Sequence, residues 1–179
     1  SSPGLVARVG EDYPQAWLEM FQQKGLDIQG VTVLPEAIDV RQFYAYTSRS
    51  TRVNDDPVSH FARLGMPFPK ILLGYHPPSP IDSRTRLSAT PVRQGDIPEH
   101  YLDASAAHLC PVDYLTHSLL PALLRQSQVT TITLDPAACY MNPTYFNLVP
   151  TLITGLTAFL PSEEELRFLF QGRSTDLWE

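Results

Sequence analysis

The stretch "AAHLCPVDYLTHSLLPALLRQSQVTTITLDP", residues 106–136, decides the fold class of this chain. It opens with a short apolar run, continues with a helical segment that carries an apolar stripe, and ends in the β-branched run "VTTITL". A strand, a helix and a second strand of these lengths are typical of a right-handed crossover between parallel strands. The stretch therefore predicts a parallel sheet covered by helices.

The same alternation continues to residue 170. "NPTYFNLVPTLITG" is predicted as a helix, "LTAFLP" as a strand and "SEEELRFLF" as a further helix. Pro121 and Pro150 lie inside two of the predicted helices and are expected to kink or interrupt them, because proline has no N–H to donate. The carboxyl half is thus predicted to be α/β.

The amino half begins with a predicted strand over 5–9 and a helix between Pro14 and Gly25. The next two β-rich runs, "GVTVLPE" and "DVRQFYAYTS", are predicted to be a hairpin or a pair of neighbouring strands within 30–48. Residues 49–99 hold eight of the 17 prolines and are interpreted as a surface excursion from the core. Three arginines of this stretch fit either a solvated loop or contacts with an anionic ligand: Arg84, Arg86 and Arg93.

Length and composition narrow the class of protein. The 179 residues suit one domain, and a net charge of −6 without a basic stripe argues against nucleic-acid or anionic-membrane partners. No run approaches the roughly 20 apolar residues of a membrane helix. Cys110 and Cys139 have neither metal-ligand nor disulfide-framework spacing, which predicts reduced thiols in a cytoplasmic protein. The abrupt ends of the chain are expected to lie inside a larger protein.

Polar residues follow three of the predicted strands. Asp113 comes after "HLCP", Asp135 after "TITL" and the Ser162/Glu165 pair after "TAFL". In doubly wound sheets ligands collect at the carboxyl ends of the strands, so these residues are candidate site residues. Asp135 precedes a proline and fits a turn residue as well as a ligand.

Ser162 and Glu165 have the spacing of a capping box, and Glu163 and Glu164 suit the positive end of a helix dipole. The alternative is that one of the glutamates manages a metal ion and a phosphate. The five histidines do not fall into metal-ligand spacing, and no P-loop or G-x-S-x-G motif is present. We expect His108 to be a core histidine and His117 to lie on the surface.

Four motifs in order resemble the central portion of the PfkB family, the ribokinase-like carbohydrate and nucleoside kinases. The first two are a "vG-x-D" strand end and an "L-x-x-x-G-V-D"-like element; the others are a "D-P" strand end and an "N-x-x-E"-like element. The matching residues are Val9, Gly10 and Asp12, then Phe21, Gly25, Leu26 and Asp27, then Asp135 and Pro136, then Ser162 to Glu165. Ser162 replaces the asparagine of the family motif.

The resemblance implies a ribokinase-like three-layer core with a parallel-rich sheet, incomplete at both ends, and a small β lid over 30–48. It also implies a kinase that transfers the γ-phosphoryl group of ATP to a sugar or nucleoside hydroxyl, with Mg²⁺ as the metal. Ser162 and Glu165 would belong to the cofactor site and Glu165 to the metal, while two lids could pair in a homodimer.

The family's first strand is expected before Ser1, and its catalytic aspartate with the glycine-rich helix start after Glu179. This chain alone is therefore expected to be inactive. The alternative is a non-catalytic ribokinase-like protein that serves as a binding or scaffold protein.

Overall fold

The computed structural model describes residues 2–47, 52–77, 82, 84–87 and 89–171. The chain divides into two compact units. The large unit comprises Ser1–Ala37 and Ile81–Glu179, and the small unit comprises Ile38–Pro80. The small unit therefore takes in parts of both the predicted lid and the predicted proline-rich excursion.

The described residues form strands and helices in the following order. The strands are β1 (Gly4–Gly10), β2 (Asp27–Leu34), β3 (Ala45–Tyr46), β4 (Arg52–Val53), β5 (Ala106–Leu109), β6 (Thr131–Leu134) and β7 (Ala158–Phe159). The helices are α1 (Gln15–Gln23), α2 (Pro57–Arg63), α3 (Tyr114–Arg125), α4 (Val149–Ile153) and α5 (Glu163–Leu169). Three 3₁₀ turns cover Lys70–Leu72, Gln94–Asp96 and Glu99–Asp103.

The large unit is a mixed α/β structure with small parallel sheets, as the sequence predicts at this level. β1 pairs with β2 in parallel across α1, and β5, β6 and β7 form a parallel sheet in that order. α3 connects β5 to β6, and α4 lies between β6 and β7. The strand–helix–strand alternation predicted for the carboxyl half is thus present, and β1, α1 and β2 form a further parallel unit in a separate sheet.

Two predictions about local structure are wrong. The runs within 30–48 form no hairpin with each other, because β2 pairs with β1 and β3 pairs with β4. β-rich composition favours a strand but does not choose its partner. The predicted helix over 142–155 is reduced to α4, preceded by turns in which Asn142 accepts the Thr144 N–H at 3.0 Å. Such an Asn–backbone bond competes with helix formation.

The two prolines behave differently. Pro150 lies in the first turn of α4, where a missing N–H costs little. Pro121 lies inside α3, which nevertheless extends from Tyr114 to Arg125. Burial of Pro121 together with Leu120 and Leu124 favours the helix there, so packing outweighs the lost hydrogen bond.

Two apolar clusters form the core of the large unit. The first has as its buried members Tyr140, Met141, Tyr145, Val149, Leu152 and Leu169. The second has as its buried members Leu124, Val129 and Ile132. The first cluster lies among the segments that follow β6 and β7, so it supports the residues at the carboxyl ends of those strands.

The small unit is organised around Phe43 and Tyr75, which are both buried. The ring of Phe43 lies 6.3 Å from the ring of Tyr75 and 6.1 Å from that of Phe61. Arg41 donates to the carbonyl oxygens of Ile71 at 2.8 Å and Leu73 at 2.9 Å. These contacts join the beginning and the end of the unit.

In the part of the chain that the structure describes, no helix is both long enough and apolar enough to cross a membrane.

Candidate functional site at the carboxyl edge of the three-stranded sheet

The strands β5, β6 and β7 end level with one another. Leu109 is paired with Leu134, and Leu134 is paired with Phe159. The polar residues predicted to follow these strands therefore lie along one edge of one sheet. This is the edge at which parallel α/β sheets bind their ligands.

Asp113 follows β5 and is the N-cap of α3. Its Oδ1 accepts the backbone N–H of Thr116 at 3.0 Å, and its Oδ2 accepts the Thr116 hydroxyl at 2.6 Å. Both carboxylate oxygens are engaged in capping. Asp113 thus has a structural role in this arrangement.

Asp135 follows β6 and is half-buried. Its backbone N–H donates to the Leu109 carbonyl at 2.9 Å, which extends the pairing of β5 with β6 by one step. Within the described residues its carboxylate makes no hydrogen bond, so it is not held as an Asx turn. The carboxylate of Asp135 is therefore available to a ligand at this edge.

Ser162 and Glu165 form the predicted capping box at the start of α5. The Glu165 N–H donates to Ser162 Oγ at 3.3 Å, and the Ser162 N–H donates to Glu165 Oε2 at 2.8 Å. The Ser162 hydroxyl also donates to Oε2 at 2.7 Å. In the described part of the chain Oε1 of Glu165 has no hydrogen-bond partner. The cap thus uses one carboxylate oxygen and leaves the other available.

The two remaining glutamates of this turn differ from Glu165. Glu163 accepts from Arg167 Nε at 2.8 Å in an exposed pair one helical turn apart. Glu163 and Glu164 both lie in the first turn of α5, where a carboxylate complements the helix dipole. Glu165 is the only glutamate of the three that takes part in the capping box.

His117 is fully buried on α3, contrary to the predicted surface position. Its Nε2 lies 3.0 Å from the Cys110 carbonyl oxygen, and its Nδ1 lies 2.6 Å from the Tyr140 hydroxyl. A carbonyl only accepts, so Nε2 carries the proton and Nδ1 accepts from Tyr140. Burial lowers the pKa of His117, opposed by the Cys110 carbonyl and by Asp113.

His108 is exposed on β5, although its apolar context predicts a core position. Its Nδ1 lies 2.8 Å from the Thr133 hydroxyl on the neighbouring strand. Cys110 is exposed as well, whereas Cys139 is half-buried, and both are free thiols. Burial raises the pKa of the Cys139 thiol to about 12, so this sulfur stays protonated.

Asp82 belongs to the site but lies in a proline-rich stretch that offers no sequence signal for it. Its Oδ2 accepts the Tyr114 N–H at 2.8 Å and the Cys139 thiol at 3.5 Å. Its Oδ1 is buried without a hydrogen-bond partner among the described residues. Asp82 therefore brings a carboxylate to the amino end of α3, beside His117, whose pKa it helps to raise against burial.

The three arginines of the predicted excursion are Arg84, Arg86 and Arg93, of which Arg86 is exposed. Arg84 donates to the Thr144 carbonyl at 3.3 Å, and its guanidinium lies 5.0 Å from the centroid of the Tyr145 ring. The backbone N–H of Arg93 donates to Asp96 at 2.7 Å in a 3₁₀ turn. Arg84 is thus in contact with Thr144 and Tyr145 while it remains exposed.

The donor set at this edge limits the kind of metal site it could form. Within the described residues no group of three or more His, Cys, Asp or Glu side chains is placed to hold a metal ion. Mg²⁺ usually keeps several waters and takes only one or two protein carboxylates together with substrate phosphates. Oε1 of Glu165 and the carboxylate of Asp135 fit that outer role by their chemistry.

No family model, curated protein or solved structure matches this chain. The resemblance to the ribokinase-like kinases therefore stays a prediction from the sequence.

Proposed function

We propose that this chain is part of a ribokinase-like kinase that transfers the γ-phosphoryl group of ATP to a sugar or nucleoside hydroxyl. The observation that supports it is the capping box of Ser162 and Glu165 at the carboxyl edge of the sheet, with Oε1 of Glu165 unused. The four motifs that resemble the family also follow one another along this chain in the order that they have in the family. The proposal includes the three-layer ribokinase-like core, which the parallel pairings of the large unit support.

MgATP, when bound, would supply the transferable phosphoryl group and its charge neutralisation. The part of Glu165 in this proposal is to accept hydrogen bonds from the waters of the hydrated cation, since a single carboxylate suits such a contact. The serine hydroxyl of Ser162 keeps Glu165 in place through its 2.7 Å bond. Asp135, on the neighbouring strand, adds a second negative group at the same edge.

The proposal includes a cytoplasmic location, which the two free cysteines support. It also includes a homodimer, although the residues predicted as the lid, 30–48, form no hairpin with each other. Since the motifs matched in this chain contain no base for the acceptor hydroxyl, the 179-residue chain alone is proposed to be inactive.

The second candidate function is a non-catalytic binding or scaffold protein of the same fold. Ser162 in place of the family's asparagine favours it, because a hydroxyl offers fewer hydrogen bonds than an amide. The aliphatic side chains exposed on the small unit favour it as well.

The test compares three variants of the protein as its gene encodes it. Glu165→Gln removes the charge but keeps the cap, because glutamine also serves in a capping box. We expect turnover of a panel of sugars and nucleosides with MgATP to fall roughly 10- to 100-fold, with little change in thermal stability. Ser162→Ala removes the cap and is expected to cost about 1 kcal/mol of stability.

Glu163→Gln is the control for charge, since Glu163 carries the same charge on the same helical turn. It is expected to leave turnover unchanged. If Glu165→Gln and Glu163→Gln have the same turnover, the proposed part of Glu165 is wrong. If the wild-type protein phosphorylates none of the substrates and binds no MgATP in a titration, the scaffold function is favoured instead.

A further inference from the structure

The small unit exposes a dense group of apolar side chains. Those of Val58, Leu64, Met66, Ile71 and Leu73 are between 52% and 72% exposed. Single exposed apolar residues are normal on protein surfaces, whereas a contiguous group indicates a place where something binds. These five belong to one stretch of the chain, from α2 to the residue after the 3₁₀ turn Lys70–Leu72, and two of them line the same cavity.

A cavity borders two of these side chains. Its volume is about 320 Å³, and Val58, Phe68, Leu72, Leu73 and Tyr75 are among the residues that line it. Two of the exposed residues, Val58 and Leu73, therefore form walls of a concave site. A cavity of this size accepts one or two large apolar side chains from a partner.

Beyond Asp56, which lines the cavity, the charged residues of this stretch are basic. Between Pro57 and Ile81 the sequence contains no acidic residue, but it contains Arg63 and Lys70. Both side chains are exposed, and neither forms a hydrogen bond or ion pair with any described residue. The carboxylate of Asp56 lines the cavity and caps α2 by accepting the Ser59 N–H. Its bonds to Ser59, and to a smaller extent the charges of His60 and Arg63, lower the pKa of Asp56.

The rest of the chain has the opposite balance. The small unit contains five basic and three acidic residues, whereas the large unit contains eight basic and sixteen acidic residues. One of the three acidic residues of the small unit, Asp39, is paired with Arg41 at 2.7 Å. A net positive, apolar surface on an acidic protein attracts ligands that combine carboxylates with apolar side chains.

We propose that the small unit is a docking surface for an acidic, amphipathic segment of a partner protein. Its apolar side chains would fill the cavity beside Val58 and Leu73, and its carboxylates would pair with Arg63 and Lys70. A bilayer also combines apolar and anionic groups, but it offers no side chain to fill a cavity. This inference does not depend on the proposed phosphotransfer, because it uses no residue of the sheet edge.

Binding is tested on the full 179-residue chain by fluorescence anisotropy. The probe is a short fluorescein-labelled peptide with leucine and phenylalanine at helical spacing and glutamate elsewhere. A peptide with lysine in place of each glutamate serves as the matched control. We expect saturable binding of the acidic peptide, weakened by salt, and no saturable binding of the basic one.

Two variants and their controls locate the binding surface. Lys70→Glu and Leu73→Ser are each expected to weaken peptide binding at least ~10-fold, because they reverse a charge two residues from the cavity-lining Leu72 and remove a cavity wall. Both residues are exposed, so the variants are expected to fold. Lys24→Glu and Leu119→Ser are equivalent changes at exposed positions of the large unit and are expected to have no effect.

Several outcomes would overturn the proposal. It fails if the acidic peptide does not bind, or if the control variants weaken binding as much as Lys70→Glu and Leu73→Ser. It also fails if anionic phosphatidylserine vesicles bind the chain and the peptide does not, which would make this a membrane surface. Sedimentation that shows self-association lost in Leu73→Ser, without peptide binding, would assign the surface to a second copy instead.

Discussion

His117 is a buried histidine whose two ring nitrogens both have hydrogen-bond partners in the neutral form. Its Nε2 donates to the Cys110 carbonyl, and its Nδ1 accepts from the Tyr140 hydroxyl. Protonation would place a second N–H where Tyr140 now donates, in a position without solvent. The carboxylates of Asp113 and Asp135 favour the protonated ring, but the effect of burial is larger, so the pKa of His117 stays below its usual value.

The pH dependence of stability follows from this arrangement. Because the folded-state pKa of His117 is lowered, the unfolded chain takes up the proton first as the pH falls below about 6.5. The free energy of unfolding is then expected to decrease as the pH falls, with a slope of up to about 1.4 kcal/mol per pH unit. The measurement is urea unfolding between neutral pH and the onset of carboxylate titration.

The control is His108→Gln, the same replacement at an exposed histidine. His117→Gln should lose this part of the slope. An NMR titration of the His117 ring in the wild-type protein provides an independent reading, in case the variant does not fold. A ring that titrates at or above its usual pKa would contradict the prediction.

For single residues, the capping box shows what the sequence predicts correctly, and His117 shows what it does not. Ser162 and Glu165 are three residues apart, so their contact depends only on local geometry and the motif identifies it. The position of His117 depends on Tyr140, which approaches it from a segment far along the chain. No pattern around His117 contains that information.

At the scale of elements, the 3₁₀ turn Glu99–Asp103 is packed tightly against the pair β1 and β2. The Tyr101 hydroxyl donates to the Asp27 carbonyl at 2.8 Å, and His100 Nε2 lies 2.9 Å from Asp27 Oδ2. The ring of Tyr101 covers Gly4 and Gly30 so closely that a Cβ at position 4 would lie 2.6 Å from it. The two glycines leave the space that this contact needs.

Gly4→Ala is therefore expected to destabilise the protein by roughly 1–3 kcal/mol, because the Tyr101 ring is anchored through its hydroxyl and cannot move aside freely. Thermal or urea unfolding measures the change. Combining it with Tyr101→Leu gives a double-mutant cycle, in which the cost of Gly4→Ala should shrink. An unchanged cost in the Tyr101→Leu background would show that the clash is not with this ring.

Gly95→Ala is the matched control, since a Cβ at that position would meet no atom within 4 Å. It is expected to be neutral or slightly stabilising, because alanine lowers the entropy of the unfolded chain. Equal losses in Gly4→Ala and Gly95→Ala would point to a general effect of glycine replacement.

The helices and strands that the sequence predicts correctly are those whose apolar residues recur with a regular period. β1, α1, α3, β6 and α5 lie where periodicity, proline and glycine predict them. The segment before α4 has turns where the sequence predicts a helix. Its buried residues, Tyr140, Met141 and Tyr145, lie in this irregular part of the chain. Their aromatic content resembles that of a helix stripe, and only packing distinguishes the two.

At the scale of the whole molecule, each of the two units has its own core. That of the small unit rests on a few aromatic rings, with Phe43 in contact with His60, Phe61 and Tyr75. A unit of this size buries little apolar surface and is expected to be marginally stable. The large unit has two apolar clusters.

Phe43→Ala is expected to remove hydrogen-exchange protection from amides of the small unit, such as those of Met66 and Tyr75, which are bonded within it. The loss of a buried phenylalanine typically costs about 3–5 kcal/mol, which is comparable to the whole stability of a small core. Amides of β6 should keep their protection. Mass spectrometry of exchanged peptides makes the comparison.

Leu152→Ala is the reciprocal control, because Leu152 is buried in the large unit. It should lower protection in β6 and α3 and spare the small unit. If either variant lowers protection equally in both units, they unfold together and do not behave as separate cores.

The α/β class, the parallel crossovers of the carboxyl half and the cap of α5 are predictable from the sequence, because each follows from periodicity or spacing within a short stretch of chain. The tertiary structure decided which strand β2 pairs with, that His117 is buried and His108 exposed, and that Asp82 reaches the amino end of α3. The reason is physical: these features depend on burial and on contacts between residues far apart in the chain, which local patterns do not encode.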